Sequence, residues 1–188
     1  MKTKIISILA VVAIFATMLL GCDDIKEDPI PREEAQIVLS SLMENVAELN
    51  RIHYGEGLLH IELGEDDVNL YAVMSPEEDY KSLSEIEALT RKTLTRAYSD
   101  QLLKDTLEGY TDGSKIIQPR YIEYGEKILV FKEIESLEGI YTYDLTTIEV
   151  TDTTAYVIEG TVKTTTGQTK RLKAVLESDG WRLSSTIY

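Results

Sequence analysis

The sequence predicts an α+β fold in which N-terminal amphipathic helices pack on a curved C-terminal antiparallel β-sheet meander, giving a cone-like shape. Two observations support this prediction. Helical periodicity is confined to the chain before Gly109, and alternation of apolar and polar residues follows from Lys115 onward. A run of helices followed by a run of strands is typical of α+β proteins. Because the chain has one cysteine, no internal disulfide stabilises the fold, and packing must hold it together.

The first element is an amphipathic helix, predicted over residues 32–51. Pro31 lies where the start of a helix tolerates proline, and Glu33 and Glu34 place negative charge at the positive end of the helix dipole. Apolar residues recur every three or four positions and form one stripe: Ala35, Val38, Leu39, Leu42, Met43, Val46 and Leu49.

A β-hairpin is predicted over residues 58–74. Apolar and polar residues alternate over 58–63, the glycine and acids of 64–67 provide a turn, and 68–74 form the second strand.

Further helical segments precede Gly109. Residues 75–78 favour one helical turn, since they combine a cap, a proline and two acids. Ser82 and Glu85 form a capping-box pattern that begins a helix. This helix is expected to continue until Ser99 begins the next one, which Gly109 ends at the C′ position.

Antiparallel strands are predicted in the C-terminal half, separated by turn residues. The expected ranges are 115–123, 127–134, 140–150, 154–164, 169–177 and 181–187. Alternation assigns three sets of side chains to buried faces: Tyr156, Ile158 and Val162; Leu172, Ala174 and Leu176; Trp181 and Leu183. Asp179-Gly180 is a two-residue hairpin signal.

The N-terminus carries the pattern of a secretory signal. Lys2 and Lys4 precede an apolar run of about 16 residues, shorter than the roughly 20 that a membrane-spanning helix needs. The run closes with Leu19-Leu20-Gly21-Cys22, which resembles the lipobox of bacterial lipoproteins. The resemblance implies diacylglycerol on Cys22, cleavage before it, and a protein anchored by lipid at the extracytoplasmic face of the cell membrane.

The predicted organisation is therefore a signal peptide at 1–21, a lipidated tether at 22–31 and a single α+β domain at 32–188. Asp23 and Asp24 follow the lipidated residue. In bacteria with two membranes, an acid there resembles an inner-membrane retention signal, whereas in a single-membrane cell it has no such meaning.

The predicted mature chain is strongly acidic. Removing the signal peptide takes away two of the 19 basic residues and no acid, so the formal charge changes from −14 to −16. Nucleic acid is excluded as a partner, because phosphate binding needs clustered Lys and Arg. The simplest role of the acidity is solubility in a crowded surface layer. We expect a monomer.

The sequence lacks the common catalytic signatures. It has no Gly-x-Ser-x-Gly elbow, phosphate-binding glycine loop or zinc-binding thiol set. We therefore expect no catalytic residues, no cofactor and no metal. His53 and His60 lie near several acids, a combination that metal coordination uses; the favoured interpretation is a loop histidine and a strand histidine beside a solvated acidic turn.

Three tyrosines are the candidate ligand-binding residues: Tyr141, Tyr143 and Tyr156. Tyrosine suits half-buried strand faces and wet cavities. Cone-shaped isomerases pair a tyrosine with a buried aspartate, and Asp144 adjoins two of the three. The favoured interpretation is that these tyrosines fill the core or line a cavity.

Two weaker resemblances concern the folded domain. The order of elements, ending in Gly180-Trp181-Arg182-Leu183, is similar to that of nuclear transport factor 2-like cones. Tyr71 and the runs 81–86 and 93–103 resemble secreted bacterial proteins of the DL-endopeptidase inhibitor type. That resemblance implies a non-catalytic surface protein, which in some members blocks a cell-wall hydrolase.

Two functional classes remain open. The first is a tethered, non-catalytic interaction module that binds another envelope protein, such as a basic cell-wall hydrolase that it restrains. The second is a tethered small-molecule binder that uses a cavity between helices and sheet. A filled, dry core favours the first, and a deep pocket with a few inward polar groups favours the second.

Overall fold

The structure, a computed structural model, describes residues 28–61, 70–137 and 140–184. The helices of these residues are α1 (Arg32–Glu44), α2 (Val46–His53), α3 (Leu83–Thr93) and α4 (Arg96–Leu107). The strands are β1 (His60–Ile61), β2 (Tyr71–Met74), β3 (Tyr110–Asp112), β4 (Lys115–Ile117), β5 (Tyr121–Tyr124), β6 (Lys127–Phe131), β7 (Tyr143–Thr153), β8 (Val157–Thr164), β9 (Thr169–Glu177) and β10 (Gly180–Leu183). Helices and antiparallel strands together confirm the mixed α+β class.

The strands form two four-stranded antiparallel sheets and one separate hairpin. The first sheet has the order β1-β2-β6-β5, and the second is a meander of the order β10-β9-β8-β7. The hairpin consists of β3 and β4, which pair only with each other and lie between α4 and β5 in the chain. The predicted pairing of the hairpin over residues 58–74 is confirmed, with His60 opposite Met74; its connecting residues 62–69 lie outside the described residues.

The predicted first helix is divided in two at Asn45. The amide of Asn45 donates to the carbonyl of Leu42 at 3.3 Å, three residues back, which tightens the turn. The Asn45 side chain also donates to Thr93 Oγ1 at 3.1 Å. The second piece continues to His53, two residues beyond the predicted end.

The predicted boundary between the next two helices is wrong by five residues. Helix α3 ends at Thr93 because Leu94 is extended, with φ −107° and ψ 151°. Leu94 forms a parallel bridge with Leu183, and the amide of Thr95 donates to the carbonyl of Leu183 at 2.9 Å. A tertiary contact with β10 therefore breaks the helix. The predicted end of α4 at Gly109 is confirmed, with φ +72° at this glycine.

Residues 75–78 do not form the predicted helical turn. They make a hydrogen-bonded turn in which the amide of Glu78 donates to the carbonyl of Ser75 at 3.1 Å. The buried carboxylate of Glu78 instead accepts from the amide of Leu59 at 2.6 Å and from Arg51 Nη1 at 2.7 Å. This ion pair draws the residues after β2 against α2 and the start of β1.

The predicted buried faces of the second sheet are correct for most strand residues. Ile158, Val162, Leu172, Ala174 and Leu183 are buried. Two assignments are wrong, because Tyr156 is 53% exposed and Leu176 is 37% exposed. Trp181 is half-buried and packs against the same cluster as Leu183.

Helix α1 lies close against the second sheet. A Cβ on Gly160 of β8 would come within 2.7 Å of both Leu39 Cδ1 and the backbone oxygen of Glu149 in β7, and this backbone oxygen is what restricts the position to glycine. The Gln36 side chain donates to the carbonyl of Ile148 in β7 at 2.7 Å. The buried members of the resulting cluster are Ala35, Leu39, Leu42, Met43, Val46, Leu49, Leu94, Leu102, Ile148, Ile158, Val162, Leu172, Ala174 and Leu183.

A second cluster joins the end of α2 to the first sheet. Its buried members are Ile52, Leu58, Ile86, Tyr121, Ile128 and Val130. Tyr121 is fully buried, and its hydroxyl donates to the carbonyl of Ile52 at 2.8 Å and accepts from the amide of Leu58 at 3.2 Å. This tyrosine therefore attaches β5 to the chain that leaves α2.

Candidate functional site

A cleft of about 600 Å³ lies where four parts of the chain meet. Its walls are the end of α2, one face of α4, the β3-β4 hairpin with the residues that follow it as far as Arg120, and residues 131–137. The volume lies within the range of roughly 300–1,000 Å³ that is usual for small-molecule sites.

Backbone contacts hold these walls together. The amide of Leu137 donates to the carbonyl of Tyr54 at 2.8 Å, and the amide of Arg120 donates to the carbonyl of Thr106 at 2.7 Å. Gly109 lets the chain turn from α4 into β3, since a Cβ there would collide with the carbonyl of Ile117 and lie 2.9 Å from the nitrogen of Pro119.

Arg120 is a half-buried cation in the wall of this cleft. Its Nη2 donates to the carbonyl of Gly55. Its Nε–H is buried and has no acceptor among the described residues, and within them no carboxylate lies in ion-pair distance of the guanidinium. Leaving a buried donor without a partner costs about 1–3 kcal/mol. Arg120 is thus positive charge that the described chain does not neutralise.

His53 lies beside Arg120 at the inner side of the cleft and is buried. The Thr90 hydroxyl donates to the carbonyl of Ile86 at 2.8 Å, so its oxygen accepts from His53 Nε2–H at 2.9 Å. The other ring nitrogen, Nδ1, accepts from the hydroxyl of Thr106 at 2.8 Å. Both ring nitrogens are therefore bonded in the neutral imidazole.

Burial and the charge of Arg120 lower the pKa of His53 to about 3. The imidazole is consequently uncharged at neutral pH, and it holds α2 to α3 and α4.

The remaining cleft residues separate into apolar walls and a polar rim. Ile117, Phe131 and Ile134 are half-buried and line the wall. The acids Glu133 and Glu135 are exposed. A third acid, Asp105, is half-buried and accepts from Gln101 Nε2 at 2.8 Å, while Lys115 is exposed on the β3-β4 hairpin.

Two of the candidate tyrosines, Tyr141 and Tyr143, are not among the residues that line the cleft but lie close to Tyr98, which is. Tyr98 lines the cleft, and its hydroxyl oxygen lies 3.2 Å from the hydroxyl oxygen of Tyr54. Burial, together with the neighbouring Tyr141 and Tyr98, raises the pKa of Tyr143 to about 12. The rings of Tyr141 and Tyr143 are 6.3 Å apart, and Lys170 Nζ lies 3.5 Å from the centre of the Tyr141 ring. The structure thus places Tyr141 and Tyr143 in one aromatic group next to Tyr98.

Tyr156 lies elsewhere, just before β8, and is not among the residues that line the cleft. Asp144 is exposed, and its carboxylate accepts from the amide and the hydroxyl of Thr146 at 3.1 and 2.6 Å. It caps a local turn at the irregular end of β7, so it does not provide the buried acid of a tyrosine–aspartate pair.

His53 and His60 do not share a site. His53 is enclosed by threonines, whereas His60 is exposed on β1. Among the described residues, no group of three or more His, Cys, Asp and Glu side chains is placed to hold a metal ion. The acids at 62 and 65–67 and the predicted lipidation site Cys22 lie outside the described residues. None of the described helices is both long and apolar enough to span a membrane.

Comparison with known proteins adds no family to this description. No protein-family model matches the chain, and no curated protein matches it in sequence. The assignment of the cleft as a candidate site therefore depends on its geometry alone. No sequence pattern distinguishes Arg120, since an arginine between a proline and a strand belongs to no recognisable motif.

Proposed function

We propose that this protein is an extracytoplasmic lipoprotein, anchored through Cys22, that acts by binding and not by catalysis, and that the cleft beside Arg120 is its binding surface. The observation that carries the proposal is the cleft itself, about 600 Å³ with apolar walls and a few inward polar groups. A concave site with apolar walls and a few inward polar groups is the default location for a ligand.

The chemistry of the cleft supports binding over catalysis. A general base at neutral pH needs a pKa near the working pH. His53 has a pKa of about 3, and both of its nitrogens are occupied by threonines. The acids Glu133 and Glu135 at the rim are exposed. The described cleft residues therefore favour recognition of a ligand.

The proposed arrangement of the whole molecule follows from the anchor. We propose that residues 22–31 form a tether, whose end is attached to the domain by the bond from the Ile30 amide to the carbonyl of Thr154 at 3.3 Å. We also propose that the α+β domain is a single cone-like unit with a curved sheet, which stands away from the membrane because of its negative charge. The cleft would then be presented to the envelope space.

Filling the cleft tests this proposal. We expect Gln101→Trp, which adds an indole to the cleft face of α4, to reduce recovery of bound material from envelope extract by the full-length lipidated protein. Gln168→Trp in the exposed β8-β9 turn is the matched control and should leave recovery unchanged. Equal recovery by both variants and the wild type would place the binding surface elsewhere.

A second candidate function is the restraint of a basic cell-wall hydrolase. The formal charge of −14 favours it, because an acidic surface speeds encounter with a basic partner and salt weakens that effect. Association that slows as salt rises supports this candidate, while a small metabolite that co-purifies in the cleft supports the small-molecule class.

The anchor gives a prediction of its own. We expect Cys22→Ala to abolish incorporation of labelled fatty acid, because the thiol is the only acceptor in the resembled motif. The precursor should then remain uncleaved or the protein should be released from membranes. Equal labelling of Cys22→Ala and wild type would contradict the anchor, and serine replacement of the nearby Thr17 provides a control with an intact cysteine.

A further inference from the structure

Resting on the proposed function, we propose the chemical class of the ligand: a single carboxylate attached to an apolar body, with Arg120 binding the carboxylate. The cleft provides a guanidinium that no described carboxylate neutralises, an apolar wall and an acidic rim, and each of these restricts the ligand in a different way.

The guanidinium of Arg120 is held in place and is short of acceptors. The backbone amide of Arg120 donates to the carbonyl of Thr106 at 2.7 Å, and the Nη2 of its side chain donates to the carbonyl of Gly55. Within the described part of the chain, the buried Nε–H has no acceptor and no carboxylate pairs with the guanidinium. A guanidinium presents its donors as a rigid fork that matches the two oxygens of a carboxylate. Because Nε is shielded from solvent, a carboxylate in the cleft reaches this donor only if the side chain or its surroundings move.

The wall next to Arg120 favours an apolar body. Ile117, Phe131 and Ile134 line the cleft, and Ile116 at its edge is 70% exposed. Apolar surface removed from water by a ligand contributes roughly in proportion to its area. A small inorganic anion would leave these side chains uncovered.

The rim excludes ligands with more negative charge. Glu133 and Glu135 are exposed, Asp105 is half-buried, and all three line the same cleft. A second anionic group on the ligand would meet these carboxylates and be repelled. One carboxylate at Arg120 with a neutral or cationic remainder fits the charge distribution.

Two sources provide this chemistry: the C-terminus of a short apolar peptide and a fatty acid. We would measure dissociation constants by ligand-observed NMR with the full-length protein in about 0.15 M salt, where the Debye length is about 8 Å. The probes are Leu-Ala-Leu against its C-terminal amide, and hexanoate against hexanol.

In at least one pair, we expect the carboxylate to bind about tenfold tighter than its neutral partner. Arg120→Gln should remove this preference, whereas Arg91→Gln on the exposed face of α3, an arginine with its own acidic partners Glu87 and Asp100, should retain it. The pair that discriminates identifies the source. If neither pair discriminates, or if Arg120→Gln discriminates as well as wild type, the proposal is overturned. The wild-type comparison holds even if Arg120→Gln does not fold.

The outcome is separable from that of the proposed function. Loss of captured material in Gln101→Trp combined with no carboxylate preference would retain the cleft as the binding surface and reject only the ligand class. Equal capture by Gln101→Trp and the wild type would reject the cleft as the binding surface.

Discussion

Tyr121→Phe should lower the free energy of unfolding by roughly 2–6 kcal/mol, because it leaves two buried backbone groups unpaired at about 1–3 kcal/mol each. The lost hydroxyl donates to the carbonyl of Ile52 and accepts from the amide of Leu58. A ring without the oxygen fills nearly the same volume, so packing is retained and the polar loss dominates. Burial also raises the pKa of Tyr121, in keeping with a hydroxyl enclosed in the core.

Tyr124→Phe is the matched control for this prediction. Tyr124 lies on β5, the same strand as Tyr121, and is 65% exposed. We expect its unfolding midpoint in urea to differ little from wild type, since exposed substitutions usually change stability by about 0.5 kcal/mol or less. A loss below 1 kcal/mol in Tyr121→Phe would contradict the hydrogen bonds that attach β5 to the end of α2.

His53 should make the protein less stable as the pH falls below 6.5, its ordinary pKa. In the folded protein the pKa is about 3, so between these values the unfolded chain binds a proton that the folded protein does not. The free energy of unfolding must then decrease as pH decreases. For this single group the loss between pH 7 and pH 5 is about 2 kcal/mol.

The measurement is urea unfolding at several pH values for the wild type, His53→Gln and His60→Gln. Glutamine can both donate and accept, so His53→Gln keeps partners for Thr90 and Thr106 while removing the titration. We expect the fall in stability between pH 7 and pH 5 to diminish in His53→Gln by about 2 kcal/mol and to persist in His60→Gln, whose histidine is exposed. Equal slopes in all three proteins would show that His53 titrates normally.

The sequence pattern was sufficient to predict burial and helix ends where the interaction that determines them is between neighbouring residues. The period-two alternation of Ile158 and Val162 predicted their burial because side chains alternate across a strand. Gly109 predicted the end of α4 because a positive φ is easily adopted only by glycine.

Pattern failed where a distant segment decides the conformation. The helical periodicity continues through Leu94, yet this residue is extended because it pairs with Leu183, 89 residues further along the chain. Likewise, Tyr156 continues the alternation of β8 but precedes the strand, so it remains exposed.

The candidate site divides in the same way. Sequence singled out Tyr141 and Tyr143, and the structure joins them to Tyr98 beside the cleft, whereas Tyr156 lies apart. Arg120 was missed, because a cation becomes notable only when the chain around it provides burial without a carboxylate.

By itself, the sequence determined the mixed α+β class, the acidity and the lipobox-like motif at Cys22, since composition and short periodic patterns are properties of neighbouring residues. Only the tertiary structure decided where α3 breaks, that His53 is enclosed by two threonines, and that Arg120 lines a cleft with no described carboxylate in ion-pair distance. The physical reason is that burial, pairing and charge neutralisation depend on residues that are distant in the chain and adjacent only after folding.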